Sequence, residues 1–94
     1  MKGTEMKLDV AERISLLLLQ INSKLNDSAA LVRDTTSEEE FKRFRREIGN
    51  VMAGVVQIAE KIYGEHPSLR PEQLNGPYKI DPTIFEPRFY EREE

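Results

Sequence analysis

The stretch that decides the fold is SEEEFKRFRREIGNVMAGVVQIAEKIYGEHP, residues 37–67. Ser37 followed by Glu40 has the spacing of a capping box, which predicts a helix start at this point. Gly64 and Pro67 predict the stop, with Gly64 in a left-handed C-terminal cap. Between them, apolar residues recur at alternating spacings of three and four: Phe41, Phe44, Ile48, Val51, Val55, Ile58 and Ile62. This period predicts a helix over about 38–64 with a coiled-coil-like seam.

The preceding segment predicts a second long helix, over about 9–33. Asp9 is expected to cap its first turn, with Glu12 as the partner three residues later. Apolar residues then follow a helical period at Val10, Ile14, Leu17, Leu18, Ile21 and Leu25. The polar stretch 22–28 contains weak helix formers, so Asn26 or Asp27 is where this helix could break.

All five prolines lie after residue 66, and their spacing forbids a long helix there. We therefore divide the chain into a helical hairpin, residues 1–66, and an extended aromatic and proline-rich tail, residues 67–94. At most one short helical piece is expected in the tail, near Pro71–Leu74. Its large apolar side chains suggest a segment that docks through anchors on an extended backbone. The expected anchors are Tyr78, Ile84, Phe85, Phe89 and Tyr90.

The hairpin carries more apolar residues than two helices can cover. Leu16–Leu19 point in successive directions about 100° apart, and Met52, Val56, Ala59 and Tyr63 form a second row beside the seam. A further layer is therefore expected: a second copy of the chain, giving a four-helix bundle, the tail folded back, or both. The expected homodimer interface comprises Leu17, Leu18, Ile21, Leu25, Ile48, Gly49, Met52, Ala53, Val56 and Tyr63.

Gly49, Ala53 and Gly54 place small side chains within the second helix. The favoured interpretation is the close approach of another helix or of the tail over this strip. The alternative is that the strip forms the floor of a small-molecule groove.

Composition argues against several classes of protein. The 94 residues include no cysteine, which rules out disulfide scaffolds, cysteine-based zinc sites and thiol nucleophiles. The net charge of -3 argues against a nucleic-acid partner, and no apolar run is long enough for a membrane span. The basic cluster Lys42–Arg46 adjoins glutamates at helical spacing, as on a solvated, salt-bridged face. We expect a cytoplasmic protein without cofactor or metal.

No arrangement of catalytic residues is evident. The single histidine, His66, has no spaced set of partners for general-base or metal chemistry, and is more simply a helix-ending residue whose ring meets free carbonyls. We therefore predict no catalytic residue and no enzymatic activity.

Residues 62–74, IYGEHPSLRPEQL, fit the form I-Y-x-E-H-P-x-L-x-P-x-x-L. This segment resembles one that ends the second helix of small bacterial helical proteins. The resemblance implies a helix leading into a proline-bounded turn, and it carries no activity and no catalytic residue.

Together these features predict a non-enzymatic protein-interaction, regulatory or adaptor module of bacterial type that acts as a homodimer. It could contact another protein through the tail. The alternative is an immunity protein or antitoxin that neutralises a partner protein. The third possibility is a small-molecule-binding or enzymatic helical bundle.

Overall fold

The computed structural model describes residues 5–92. Residues 1–4 of the predicted hairpin and residues 93–94 of the predicted tail lie outside this range. Two long helices, α1 (Leu8–Thr35) and α2 (Glu38–Glu65), are joined by a two-residue connection and pack as an antiparallel hairpin. Residues 5–92 contain no strand. The prediction of an all-α hairpin is therefore confirmed.

The helix starts follow the sequence signals in one case and depart from them in the other. Ser37 is the N-cap of α2, and its hydroxyl accepts a hydrogen bond from the Glu40 backbone N–H at 3.1 Å, as predicted. The predicted cap of α1 at Asp9 is wrong. That helix begins at Leu8, because the Lys7 carbonyl already accepts from the Ala11 N–H at 2.8 Å. Asp9 instead lies in the first turn.

The polar stretch within α1 does not interrupt the helix. Side chains such as Asn and Asp disfavour helices when they bond to their own backbone. Here the Asn22 amide donates to the Met52 carbonyl of α2 at 3.3 Å, and the Asp27 carboxylate pairs with Arg88. Tertiary partners thus remove the competition that would have broken the helix.

The end of α2 also differs from the expectation. Gly64 is an ordinary helical residue, and His66, at φ -133°, is the C-cap. No glycine in the described range has a positive φ, so the predicted left-handed cap at Gly64 is wrong. The backbone continues directly into a short 3-10 turn at Pro67–Leu69.

The apolar core is small and lies mainly at the open end of the hairpin. Its buried members are Ala11, Leu18, Ala59, Ile62, Tyr63 and Leu69. The predicted α2 seam is not buried as a unit, because Val51 and Ile58 are 53% and 50% exposed. Since α2 packs on one helix only, its buried row runs between the two predicted apolar rows and leaves the outer members of both in solvent.

Beyond α2 the chain forms three 3-10 turns, at Pro67–Leu69, Glu72–Leu74 and Pro82–Phe85, where the sequence indicated at most one. The loop between Arg70 and Tyr78 is closed by two backbone hydrogen bonds of 2.9 Å, from Tyr78 N–H to the Arg70 carbonyl and from Glu72 N–H to the Tyr78 carbonyl. Gly76 lies so close to this crossing that an added Cβ would come within 2.0 Å of the Arg70 carbonyl oxygen. The turn therefore requires glycine.

Candidate interaction surfaces

The C-terminal segment runs along α1 in the same direction as the helix. Residues of this segment form hydrogen bonds with α1 residues in the same order along both parts of the chain. In order, they are Tyr78 OH to Glu12, Gln20 to the Ile84 carbonyl, Lys24 to the Pro87 carbonyl, Arg88 to Asp27, and Tyr90 OH to Asp34. They span most of the length of α1, so the segment lies as a strap on the side of α1 away from α2.

Asp27 is the most deeply buried charged group along this strap, with 2% of the residue exposed. Its carboxylate accepts from two nitrogens of the Arg88 guanidinium, with Nε at 2.9 Å from Oδ2, and from the Phe89 backbone N–H at 3.1 Å. These bonds, led by the one from Arg88, hold the pKa of the Asp27 carboxyl below its usual range. A buried carboxylate with three donors is a specific attachment point for the strap.

Asp34 forms a second attachment seven residues later, on the same helix face. The Tyr90 hydroxyl donates to it at 2.8 Å, and Arg33 and Arg92 lie at 3.1 and 3.4 Å. The hydrogen bond from Tyr90 is the main reason that the pKa of Asp34 is lowered. Sequence reasoning missed both aspartates, because their partners in the strap lie 61 and 56 positions away along the chain.

The predicted tail anchors differ in their exposure. Tyr78, Ile84, Phe85 and Tyr90 are half-buried. Phe89 is 56% exposed, because its backbone rather than its ring is bound by Asp27. Phe89 is therefore the predicted anchor whose ring remains available to another molecule.

The ten predicted interface residues do not share one surface. Leu18 and Tyr63 are buried inside the hairpin, so their side chains are unavailable to a partner. Ile21, Leu25, Ile48 and Met52 are half-buried, and Leu17, Gly49, Ala53 and Val56 are exposed. At 100° per residue, the exposed members lie on two opposite flanks of the hairpin.

The first flank, which we call the leucine face, consists of Val10, Leu17 and Ile21 of α1 with Val51 and Ile58 of α2. Val10 and Leu17 are 42% and 47% exposed, similar to the two α2 side chains. Half-exposed aliphatic side chains from both helices thus adjoin on one side of the molecule. Contiguous patches of this kind mark interaction sites in soluble proteins.

The opposite flank, the glycine face, carries Gly49 and Val56 of α2 beside Leu19 and Ala30 of α1. Ala53 is exposed one turn after Gly49. A Cβ added to Gly49 would meet nothing within 4 Å. No other part of the described chain therefore packs closely against Gly49. The close approach predicted for this strip is not made within one chain.

Charged groups elsewhere have simple local partners. Arg43 pairs with Glu40 on the outer side of α2, and Arg45 lies 5.5 Å from the centre of the Phe41 ring. The His66 ring lies with Nε2 2.9 Å from the Met6 carbonyl, so Nε2–H donates to the segment before α1 rather than to the end of a helix.

Residues 5–92 bring together no group of three or more histidine, aspartate or glutamate side chains with the arrangement of a metal site. Over the same range, no helix combines the length and apolar character needed to cross a membrane.

Comparison of the chain with protein-family models, with curated proteins and with solved structures finds no match. Inferences about function therefore depend on the surfaces described above.

Proposed function

We propose that this protein is a non-enzymatic interaction module that works as a homodimer, in which the leucine faces of two hairpins meet to form a four-helix bundle. The observation that carries this proposal is the exposure of Val10, Leu17, Val51 and Ile58, at 42–53% each. The strap covers the far side of α1 and leaves this face open. A second copy of the hairpin would match this face in both shape and apolar character.

The accessible surface of the chain supports the proposal. A compact monomer of 10.9 kDa exposes about 5,600 Å². This chain exposes 7072 Å². The excess is larger than the roughly 800 Å² that each partner buries in a standard interface. A dimer could bury such an interface and still leave an ordinary surface.

The shape of the chain agrees with its surface area. The radius of gyration is 15.7 Å, whereas a compact domain of this length has one of about 12 Å. The principal extents of 54 × 27 × 22 Å describe a rod about twice as long as it is wide. Two such rods packed side by side would have the elongated form of a four-helix bundle.

The free energy gained by burying the leucine face is comparable with the free-energy cost of association. Full burial of a Val, Leu or Ile side chain stabilises by about 1.5–3 kcal/mol, so completing the burial of a half-exposed one contributes about 1 kcal/mol. Four such side chains on each of two chains give about 8 kcal/mol, against an association cost of about 4–15 kcal/mol. Half-buried neighbours such as Ile21 would add to this contribution.

Two valines of α2 provide a matched test. Val51 lies on the leucine face and Val56 on the glycine face, at 53% and 48% exposure. We expect size-exclusion chromatography with light scattering to give twice the 10.9 kDa chain mass for the native protein at micromolar concentration. Val51→Glu should reduce the mass to that of one chain, because it places charges in the interface, and Val56→Glu should leave the dimer intact.

A native protein with the mass of one chain would contradict the proposal. Dissociation by Val56→Glu but not by Val51→Glu would move the interface to the glycine face. Far-ultraviolet circular dichroism of both variants controls for loss of the helices.

A further inference from the structure

A groove of about 190 Å³ lies on the glycine face, near the connection between the two helices. Its floor is apolar and is formed by both helices, with Ala29 and Ala30 from α1 and Ile48, Gly49 and Met52 from α2. Because Gly49 has no side chain and the alanines have short ones, the floor lies low between α1 and α2. The groove therefore has the form of a shallow channel along the seam of the hairpin.

The charges around this groove have one sign. The charged residues that line it are Arg33 and Arg45, although the chain as a whole has a net charge of -3. Within residues 5–92, no aspartate or glutamate lines it. The rim of the groove is therefore positive, and its charge complements an acidic partner.

The two arginines differ in how far they are already occupied. Arg33 Nε lies 3.1 Å from Asp34 Oδ1, and this side chain is 52% exposed. In the described part of the chain, the Arg45 guanidinium contacts a ring rather than a carboxylate, with its carbon 5.5 Å from the centre of Phe41. Arginine pairs strongly with carboxylates through its several N–H donors, so Arg45 can accept a carboxylate from another molecule while it remains stacked on Phe41.

The size of the groove favours a protein segment over a small molecule. Small-molecule pockets have volumes of about 300–1,000 Å³ and enclose most of the ligand. This groove is smaller and follows the seam between two helices. An amphipathic helix needs to place only its apolar stripe in such a groove. The low floor allows a third helix to approach to the usual interaxial distance of about 8–10 Å.

We propose that the groove binds an acidic amphipathic helix of a partner protein. The apolar stripe of that helix lies on the floor, and carboxylates on its flanks pair with Arg45 and Arg33. The same flank of the hairpin continues to Leu19 and Val56, which line the next cavity along the seam. From Arg33 to Leu19 the distance along α1 is about 21 Å at 1.5 Å per residue, which matches about four turns of a partner helix.

A second copy of the chain does not fit this groove. Two-fold symmetry places each surface patch on its own counterpart, so a groove-to-groove dimer would bring the arginines of one copy against those of the other. Like charges placed together in an interface are strongly unfavourable. The second copy is assigned to the leucine face, on the opposite flank.

A synthetic helical peptide of about four to five turns is the probe. It carries leucines at alternating spacings of three and four and glutamates on both sides of the leucine stripe, and a second peptide has lysine in place of every glutamate. Titrated into the ¹⁵N-labelled full chain, the glutamate peptide should shift the amide resonances of groove residues such as Ala30, Ile48 and Gly49. The lysine peptide should bind at least about tenfold more weakly, because its charges oppose the arginines.

Two glycines of α2 provide matched variants. A Cβ added to Gly49 or to Gly54 meets nothing within 4 Å, and Gly49 lines the groove whereas Gly54 does not. Gly49→Leu should weaken binding of the glutamate peptide about tenfold or more, because the new side chain fills the space that the peptide needs. Gly54→Leu should leave binding unchanged. Far-ultraviolet circular dichroism confirms that both variants keep their helices.

Charge reversal tests the arginine separately. Arg45→Glu should weaken binding of the glutamate peptide and strengthen binding of the lysine peptide, each by about fivefold, as expected for an exposed ion pair. Arg46→Glu makes the same change at the next residue, which does not line the groove. That variant should keep the preference of the native protein.

Equal affinity of the native protein for the two peptides, or no shift at the groove residues, would overturn the proposal. Shifts centred on Val51 and Ile58 would also overturn it, because they would place the helix on the leucine face. Sedimentation of the native protein with anionic phosphatidylglycerol vesicles, lost in Arg45→Glu, would assign the groove to a membrane surface instead. The homodimer is tested separately, by the mass of Val51→Glu, so failure of one proposal is distinguishable from failure of the other.

Discussion

At the scale of single residues, Asp27 determines how the strap is held. Its carboxylate is almost completely buried, and its donors in the strap come from the short stretch Arg88–Tyr90. A buried carboxylate that loses its cation is strongly unfavourable. The strap can, however, lift away and admit water, so the cost is limited to that of undocking the strap.

Arg88→Ala is therefore expected to release the strap and lower the melting temperature. The control is Arg92→Ala, since Arg92 is 68% exposed and reaches Asp34 only at 3.4 Å. An ion pair whose cation is this exposed contributes little. Thermal unfolding followed by circular dichroism measures both variants, and equal melting temperatures for them would contradict the role given to Asp27.

Acid should release the strap as well. The pKa values of Asp27 and Asp34 are lowered in the folded chain, so their contribution is complete above the unfolded-state pKa of about 3.9. It is lost as the pH falls through the lower folded values. We expect unchanged protection of the Phe89 amide in hydrogen exchange at pH 5, and loss of that protection below about pH 4. Loss already at pH 5 would contradict the ion pairing.

The three tyrosines should ionise at a higher pH than an unperturbed tyrosine. The hydrogen bond to Glu12 raises the pKa of Tyr78 to about 12, the bond to Asp34 raises that of Tyr90, and burial raises that of Tyr63. Absorbance at 295 nm should therefore show no tyrosine ionising near pH 10 while the protein is folded. Because these pKa values are raised, the associated stability is present below pH 10 and declines above it. In Tyr78→Phe the most alkaline ionisation should be absent.

At the scale of elements, the helices depend on local signals that the sequence displays. The apolar period, the proline-free first 66 residues and the Ser37 cap were sufficient to place both helices. The helix ends were harder to place, because the Lys7 start of α1 and the helical conformation of Gly64 carry no side-chain signature. The 3-10 turns after Pro67 depend on tertiary packing and were not predictable in number.

The Ser37 cap provides an element-scale test. Ser37→Ala removes the acceptor for the Glu40 N–H and should lower the free energy of unfolding by about 1 kcal/mol. Ser68→Ala, in the exposed 3-10 turn, is the matched control and should change it by less than about 0.5 kcal/mol. Urea denaturation measures both, and equal effects would show that the cap is not important.

Replacing either of two glycines with alanine should change the stability of the protein, but in opposite directions. Gly76→Ala forces a Cβ against the Arg70 carbonyl and should open the loop between Arg70 and Tyr78, with a loss of stability. Gly64→Ala, where an added Cβ meets nothing within 4 Å, should stabilise α2 by up to about 1 kcal/mol. Urea midpoints that move in the same direction for both variants would contradict this account of the turn.

At the scale of the whole molecule, the distribution of exposed apolar side chains is the main consequence of the fold. The strap lies behind α1, so α2, α1 and the strap form a row with two open flanks. One flank is the leucine face, to which we assign the second copy, and the other is the glycine face, to which we assign an acidic helix of a partner protein.

The sequence by itself determined the two helices and their connection, because apolar period, helix capping and the absence of proline act within a few residues of one another. It also indicated that the hairpin has too much apolar surface for two helices. Only the tertiary structure decided which side chains remain exposed, because that depends on which sides of α1 are covered by α2 and by the strap. The Asp27–Arg88 pair likewise joins residues 61 positions apart. No local pattern reports such separations; the folded chain brings these groups together.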